Sequence, residues 1–339
     1  MKKYQLIIVG GGPGGYTAAF RAAELGMSVA IVDDNDLGGV CLNWGCIPTK
    51  SLLKNAEVFE LISNASSYGI EVGKPKLHFE KIIDKTIQAR MRLSKGLHFQ
   101  VRKLGVDFFP GFATFIDQST IEVDGNTLHG ETFIIATGSK AKHLPSLDHS
   151  SKHIMTAKDI FNLKKLPKSM TIIGAGAIGV EFAYFFNALG SKITILEAQE
   201  NILPNEDIEI SQWMHKVLKR KKIDIQTNTI ATDINDEYVL VSIGVEGNSN
   251  GFGLNKIGVE IDKNQHIKVD QNGKTNIDNI FAVGDVIGPP WLAHVSSTEG
   301  IYVVEHIAKL NPKQIDYDCV PACTYSKPEI GSIGLSQKI

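Results

Sequence analysis

The chain repeats one pattern of apolar and polar positions. In the first copy, the apolar run Leu6 to Val9 leads into a glycine-rich turn and an alanine-rich stretch. A second apolar run, Ser28 to Val32, then ends at the acid Asp33. Short apolar runs predict buried strands, and the longer stretch between them predicts a helix that stops near Gly26. The pattern therefore predicts a strand–helix–strand unit.

The turn glycines and the terminal acid occur twice, and each residue of the second copy lies 164 positions after its counterpart in the first. The first copy consists of Gly10, Gly12, Gly15 and Asp33, and the second of Gly174, Gly176, Gly179 and Glu197. In such a unit the first glycine permits the tight turn, and the third lets helix and strand pack closely. The second glycine lets a pyrophosphate approach the helix N-terminus, where free N–H groups favour anions. Two complete copies therefore predict two dinucleotide sites.

The acids at the strand ends predict which nucleotides bind. A carboxylate can accept a hydrogen bond from a ribose hydroxyl, whereas a 2′-phosphate would meet Glu197 as like charge against like charge. The second site is therefore expected to prefer NAD over NADP. The first site could also hold the ADP half of FAD, because its ribose has free hydroxyls too.

Two cysteines, Cys41 and Cys46, lie between the two copies and are five residues apart. A regular helix would separate them by about 7.5 Å along its axis, whereas a disulfide needs Cα atoms about 4.4–6.8 Å apart. The loop is therefore not regular helix if the pair closes. Pro48 and the amphipathic stretch from Lys50 to Ile62 predict a helix just behind it, whose N-terminus would stabilise a thiolate. We interpret the pair as a dithiol/disulfide couple, with two separate buried thiols as the alternative.

Composition narrows the remaining possibilities. The length of 339 residues suits two or three domains, and 43% hydrophobic with 21% charged residues is a soluble globular balance. A net charge of −2 leaves no basic footprint for nucleic acid, and no apolar run is long enough to span a membrane. Because the first strand begins almost at once, no signal peptide and a cytoplasmic location are expected. Cys319 and Cys323 are expected to be buried small residues, and no metal site is predicted.

The string GGVCLNWGCIPTK resembles the class I pyridine nucleotide-disulfide oxidoreductases, and its CLNxGCIPxK wording is most similar to the dihydrolipoamide dehydrogenases. Matching strings occur in the family's order, and they are ATGS at 136–139, GAGAIGVE at 174–181, FAVGD at 281–285, LAH at 292–294 and PACTYSKPEIGSIGL at 321–335. The resemblance covers the chain from Met1 to Leu335.

This resemblance implies an α/β fold with two Rossmann-like domains, the second inserted in the first. The boundaries it implies are 1–143 and 266–318 for the FAD-binding domain, 144–265 for the NAD-binding domain and 319–339 for the start of a truncated dimerisation domain.

The resemblance also assigns roles to individual residues. Those with a catalytic role would be Cys41, Cys46, Lys50 and Glu181, with Lys50 near the flavin ring and paired with Glu181. The FAD-binding residues would be the first-copy glycines and acid together with Lys50, Ala113, Thr137, Gly138, Ser139, Asp285, Trp291, Leu292, Ala293 and His294. Those lining the NAD site would be the second-copy glycines and acid with Glu181 and Gly244.

The activity implied is oxidation of dihydrolipoamide by NAD⁺. The dithiol would reduce the disulfide by attack at Cys41, Cys46 would pass electrons to FAD, and hydride would leave to NAD⁺. The implied partners are a lipoyl-carrier protein, of a 2-oxoacid dehydrogenase or glycine cleavage complex, and a second copy of the chain. Two alternatives stay open: another substrate, such as glutathione or mercuric ion, and a non-catalytic FAD- and NAD-binding fragment or complex component.

Two departures from the family pattern accompany these expectations. No HPT-type motif with a histidine base follows Leu335, so we expect a reduced dimer interface and slow turnover of the dithiol substrate. His294 and Glu299 are five residues apart, as in such a motif, but they are not expected to replace the missing base. The second departure is the short connection from Ala231 to Val239, where relatives carry a hairpin. Val245 also stands after Gly244 where many relatives have arginine.

Overall fold

A computed structural model describes residues 2–231, 234 and 236–337. The predicted short connection between Ala231 and Val239 includes residues 232, 233 and 235, which lie outside this description, as do the last two residues of the predicted stub.

Short strands account for much of the described chain, and their bounds are β1 Lys2–Val9, β2 Val29–Asp33, β3 Asp107–Pro110, β4 Ala113–Asp117, β5 Thr120–Val123, β6 Asn126–Ile135, β7 Ser139–Ala141, β8 Ile154–Met155, β9 Ser169–Ile173, β10 Lys192–Leu196, β11 Asp224–Gln226, β12 Tyr238–Val241, β13 Val245–Gly247, β14 Ile280–Ala282, β15 Ala322–Thr324 and β16 Ile330–Ser332.

The α-helices lie between these strands, and their bounds are α1 Pro13–Glu24, α2 Gly39–Asn43, α3 Cys46–Ser63, α4 Phe79–Lys103, α5 Ala177–Leu189, α6 Ile208–Arg220, α7 Leu254–Ile257 and α8 Ala293–Ile307. Within the described ranges, no helix combines the length and the apolar character that crossing a membrane requires.

The chain divides into two compact units. The first unit consists of the chain up to Asn43, Arg90–Lys140 and Val245–Tyr317. The second consists of Trp44–Ala89, Ala141–Gly244 and the chain from Asp318. This division follows packing, whereas the four predicted segments follow the cofactor that each would bind, so the predicted boundaries stay a prediction.

The first unit is built on a seven-stranded sheet. Its parallel part has the order β3-β2-β1-β6-β14, and β5 and β4 extend it as antiparallel strands beyond the first half of β6. Side chains of a strand alternate between faces. Leu6 and Ile8 accordingly join the core cluster that contains the α1 alanines, whereas Ile7 and Val9 join the cluster with Phe115.

The second unit contains a five-stranded parallel sheet with the order β11-β10-β9-β12-β8. Four of these strands, β11-β10-β9-β12, follow the order of β3-β2-β1-β6 in the first sheet, whereas β8 precedes β9 in the chain and β14 follows β6. The register of these strands also matches, with pairs Ile7–Ala30 and Val9–Val32 in the first unit and Thr171–Thr194 and Ile173–Leu196 in the second. Each pair in the second unit lies 164 residues beyond its counterpart. The predicted α/β class with two Rossmann-like domains is confirmed.

The helix of each unit starts at a glycine turn with the same backbone geometry. Gly10 and Gly174 have φ of +107° and +96°, a region that favours glycine. A Cβ atom on Gly15 would clash with the carbonyl oxygen of Gly10, and a Cβ on Gly179 would clash with that of Gly174. The third glycine of each motif is therefore required by packing of the turn itself.

The hairpin β15–β16 and the short 3₁₀ turn Tyr317–Cys319 ahead of it, which buries none of its residues, correct one expectation. Cys319 and Cys323 were expected to be buried, but both are exposed. β15 pairs with β16 alone, and strand alternation turns Thr324 inward and Cys323 outward. The small apolar character of a cysteine does not decide which face of a short hairpin it occupies.

Replacing Gly179 by alanine tests the packing argument. The added methyl would meet the backbone oxygen of Gly174, so Gly179→Ala is expected to lower the thermal unfolding midpoint by several degrees, as overpacking costs about 1–3 kcal/mol. Gly176→Ala is the matched control, because a Cβ there has no neighbour within 4 Å. Circular dichroism of the cofactor-free protein measures both; equal midpoints for the two variants would contradict the argument.

Candidate active site

The two cysteines between the nucleotide motifs form a disulfide, Cys41–Cys46. Cys41 lies in α2, which ends at Asn43, and Cys46 is the first residue of α3. The break at residues 44 and 45 confirms that the segment is not one regular helix. Cys46 therefore sits where unpaired backbone N–H groups of an 18-residue helix stabilise a thiolate.

Lys50, one turn further along α3, forms an ion pair with Glu181 of α5. Its ammonium lies 3.0 and 2.9 Å from the two carboxylate oxygens of Glu181. Glu181 is only 3% exposed, so the charge of Lys50 compensates a carboxylate that has lost nearly all its water. The predicted pairing of these residues is thus present, and it connects α3 to α5.

Tyr325, which sequence reasoning did not single out, completes this pair. Its backbone N–H donates to Glu181 at 2.8 Å, and its ring lies 4.7 Å from the Lys50 ammonium, close enough for a cation–π contact. Trp44 has a similar contact with the ammonium of Lys158, at 4.3 Å. The signal that could have identified Tyr325 is its position inside the matching string at 321–335.

The glycine turn of the second unit is closed by Glu197. One carboxylate oxygen accepts from the N–H of Ala175 at 2.7 Å, and the other accepts from the N–H of Gln199 at 2.8 Å. A carboxylate has about four acceptor positions, so Glu197 retains capacity for a ribose hydroxyl. The acid thus shapes the turn as well as offering a ligand contact, a role that the sequence alone did not indicate.

Asp33 makes the equivalent contacts in the first unit. It accepts from the N–H groups of Gly11 at 2.6 Å and Asn35 at 2.8 Å. Burial raises the pKa of Asp33 to about 6, although the hydrogen bonds from Gly11 and Asn35 oppose that rise. A third acceptor contact from a ribose would favour the ionised form further.

The Thr137–Ser139 turn and Asp285 lie together in the first unit. Ser139 donates to Asp285 at 2.7 Å, and Thr137 donates to the carbonyl of Asn248 at 2.7 Å. Burial raises the pKa of Asp285, with the Ser139 hydrogen bond opposing it. Asn248, which also donates its backbone N–H to Gly138, was missed because nothing in its local sequence marks it.

The remaining predicted residues occupy turns and element ends. Ala113 begins β4 and is buried, Gly244 has φ +102°, and Trp291 is 40% exposed ahead of Leu292 and Ala293, which open α8. His294 is exposed on the first turn of α8.

Glu299 is not a partner of His294. It is buried, and its carboxylate accepts from the N–H of Gly284 at 2.6 Å and from the hydroxyl of Tyr317 at 2.8 Å. Glu299 therefore holds the turn that carries Asp285. Across the described ranges, no cluster of three His, Cys, Asp or Glu side chains could hold a metal ion.

The geometry of both glycine turns fits a dinucleotide. Gly12 and Gly176 are the N-caps of α1 and α5, their φ values are −73° and −69°, and neither N-terminus has a side-chain cap. The space beside Gly176 is open, with nothing within 4 Å of an added Cβ, and a Cβ on Gly12 would come no closer than 3.7 Å to Gly39. Both helix N-termini thus leave room and free N–H groups for a pyrophosphate.

Comparisons with known proteins agree with this geometry. Residues 4–300 match the family model of the pyridine nucleotide-disulphide oxidoreductases. Dihydrolipoyl dehydrogenases of Zymomonas mobilis and Bacillus subtilis are each 38% identical over 99% of this chain and 78% of their own length. The solved structure of LpdA from Mycobacterium tuberculosis superposes with a TM-score of 0.92 at 24% identity, covering all of this chain and 79% of that one, which supports the fold.

The chain belongs to the pyridine nucleotide-disulphide oxidoreductase family. The predicted class, a flavoprotein disulfide oxidoreductase related to the dihydrolipoyl dehydrogenases, is confirmed, and its cofactors are FAD and NAD. The Cys41–Cys46 disulfide fits the redox-active site of this class.

Loss of the Lys50 charge is expected to destabilise the second unit. Lys50→Met would leave the buried Glu181 with only the Tyr325 N–H, so we expect the thermal midpoint to fall by about 5–10 °C. Lys54→Met, on the same helix, is the control. Lys54 forms a 2.7 Å ion pair with Glu57, but the Lys54 side chain is 70% exposed. Loss of this ion pair should therefore shift the midpoint by less than about 1 °C.

Thermal unfolding followed by circular dichroism compares the two variants under identical conditions. Equal shifts of the midpoint for Lys50→Met and Lys54→Met would contradict the expectation that the buried Glu181 makes the charge of Lys50 necessary for stability.

Proposed function

We propose that this protein catalyses the oxidation of dihydrolipoamide to lipoamide with reduction of NAD⁺ to NADH. The observation that carries the proposal is a disulfide at the start of a helix that a partly buried ion pair, Lys50–Glu181, fastens to the helix of a nucleotide motif. The names of the relatives, which are dihydrolipoyl dehydrogenases at 38% identity, support the choice of substrate.

The cysteines would carry the substrate reaction. A substrate thiolate attacks the sulfur of Cys41, the Cys41–Cys46 bond breaks, and Cys46 leaves as a thiolate that the N-terminus of α3 stabilises. The second substrate thiol then attacks the substrate sulfur of the mixed disulfide and releases Cys41. The substrate loses two electrons and two protons, and the protein gains a dithiol.

The other site residues would bind and orient. Bound FAD would supply the two-electron chemistry that links the dithiol to NAD⁺. Asp33 and Glu197 would accept hydrogen bonds from the ribose hydroxyls of the two cofactors, and the N-termini of α1 and α5 would hold the pyrophosphates. Lys50, held by Glu181, would place its charge near the flavin ring.

We propose a lipoyl-carrier protein, of a 2-oxoacid dehydrogenase or glycine cleavage complex, as the partner that delivers the dithiol. A homodimer is proposed from the same relatives. A cytoplasmic location is proposed because a disulfide that must cycle through a dithiol suits a reducing compartment.

A panel of thiol substrates tests the proposed reaction. With NAD⁺ as acceptor, the FAD-loaded protein is expected to oxidise dihydrolipoamide at least about tenfold faster than reduced glutathione, since a dithiol resolves its own mixed disulfide intramolecularly. Cys46→Ser should abolish NADH formation, whereas Cys323→Ser, which alters an exposed cysteine on β15, should leave the rate unchanged.

Absorbance at the NADH band measures these rates. Faster oxidation of glutathione would overturn the substrate proposal, and activity in Cys46→Ser would overturn the role of the disulfide. Flavin bleaching by NADH without any dithiol oxidation would favour the binding-fragment alternative.

The charge of Glu197 is expected to set the coenzyme preference. Because its carboxylate repels a 2′-phosphate, flavin reduction should have a kcat/KM for NADH about a hundredfold above that for NADPH, and Glu197→Gln should narrow this ratio about tenfold. Glu200→Gln, an equal charge change at an exposed neighbour, is the control and should leave the ratio unchanged. A ratio that Glu197→Gln leaves intact would contradict the assignment.

A further inference from the structure

The side chain of Asn43, at the end of α2, is buried and bonded to the chain that precedes this helix. Asn43 is 4% exposed, and its amide donates to the carbonyls of Asp36 at 2.9 Å and of Leu37 at 3.4 Å. Such an amide resists displacement, because breaking its hydrogen bonds leaves buried polar groups without a partner. Cys41 lies two residues before Asn43 in the same helix, so the amide ties the segment of this cysteine to the chain at Asp36 and Leu37.

The segment that accepts these hydrogen bonds, residues 36–39, packs against the first glycine turn. The backbone N–H of Gly38 donates to the carbonyl of Gly11 at 2.8 Å. A Cβ atom on Gly39 would lie only 2.6 Å from the Cα atom of Gly12, so the two backbones are in contact. The carbonyls that accept from the buried amide therefore belong to a segment whose position is fixed by the turn.

The side chain of Asp36 anchors the same segment to α4. Its carboxylate accepts from the hydroxyl of Ser94 at 2.5 Å, and its other oxygen lies 2.5 Å from Nε2 of His98. Ser94 and His98 are four residues apart and therefore lie on one face of α4. Ser94 is 4% exposed, so its contact with Asp36 is largely shielded from water. The segment is thus held on two sides, by the glycine turn and by α4.

We propose that Asn43 is a positioning residue that holds the sulfur of Cys41 in place, both for closure of the disulfide and for attack by a substrate thiolate. In the dithiol form, where no S–S bond restrains Cys41, the hydrogen bonds of Asn43 keep its thiol near that of Cys46. In the disulfide form, they hold the Cys41 sulfur in the one orientation that a displacement at sulfur requires. The part that concerns the substrate rests on the proposed function, which places the attack at Cys41.

Asn43→Leu keeps the size of the side chain but removes its donor. Because the dithiol form then loses its restraint, the equilibrium constant for forming the disulfide should fall about tenfold, which raises the reduction potential of the pair by about 30 mV. Asp36→Ala keeps the amide but frees the segment from α4, so a fall of about threefold is expected. Asn64→Leu is the control, since its amide donates to the Glu60 carbonyl at the exposed end of α3, and it should leave the equilibrium unchanged.

The equilibrium is measured with the FAD-loaded protein in oxygen-free mixtures of reduced and oxidised dithiothreitol. As the disulfide closes, the protein dithiol loses two electrons and two protons to oxidised dithiothreitol; the remaining thiols are alkylated and quantified by mass spectrometry. A residue with only a structural role would lower the thermal midpoint and leave this equilibrium unchanged, and that result would overturn the inference. If Asn43→Leu does not fold, an unchanged equilibrium in Asp36→Ala would overturn it equally.

Oxidation of dihydrolipoamide provides the second readout. In Asn43→Leu, kcat/KM for this dithiol should fall at least about tenfold, because a misplaced sulfur is attacked slowly. Reduction of the flavin by NADH does not involve Cys41 and should stay within about twofold of the parent rate. An equal loss of both rates would contradict a role that is specific to the cysteine. A parent protein that closes its disulfide normally but oxidises no dihydrolipoamide would contradict the proposed function, not the role of Asn43 in closure.

Discussion

The ion pair between Lys50 and the buried carboxylate of Glu181 is the interaction on which the proposed chemistry depends. It fastens α3, whose first residue is Cys46, to α5, whose N-terminus forms part of the second nucleotide motif. A carboxylate that is 3% exposed is stable only with its partners in place, and the backbone of Tyr325 supplies the third contact. One network of charges and hydrogen bonds thereby holds the helix of the disulfide and the helix of the nucleotide site in a defined relation.

The two nucleotide motifs solve the same physical problem with equivalent atoms. In each, a strand must turn sharply into a helix while leaving the helix N-terminus open to an anion. A glycine with positive φ makes the turn. An acid at the end of the neighbouring strand then accepts a hydrogen bond from the backbone N–H of the residue after that glycine. The acid therefore has two roles: its hydrogen bonds fix the shape of the turn, and its remaining acceptor positions can bind a ribose hydroxyl.

Much of this arrangement could be predicted because its signals are local. The glycine spacing, the apolar runs and the Cys41–Cys46 spacing are each read within about thirty residues, and the structure confirms the units they imply. Contacts made over long stretches of chain were missed: Tyr325 with Glu181, and Asn248 with Thr137. The exposure of Cys323 was predicted wrongly because strand alternation in a short hairpin, not residue type, decides it.

If the proposed relay operates, electrons from NADH reach the Cys41–Cys46 disulfide. The most direct test adds one equivalent of NADH to the FAD-loaded protein without oxygen, alkylates the thiols and identifies the modified residues by mass spectrometry. We expect Cys41 and Cys46 to become alkylated only after NADH is added, together with a long-wavelength absorption band of a thiolate beside the flavin. A disulfide that stays intact while the flavin is fully reduced would contradict it.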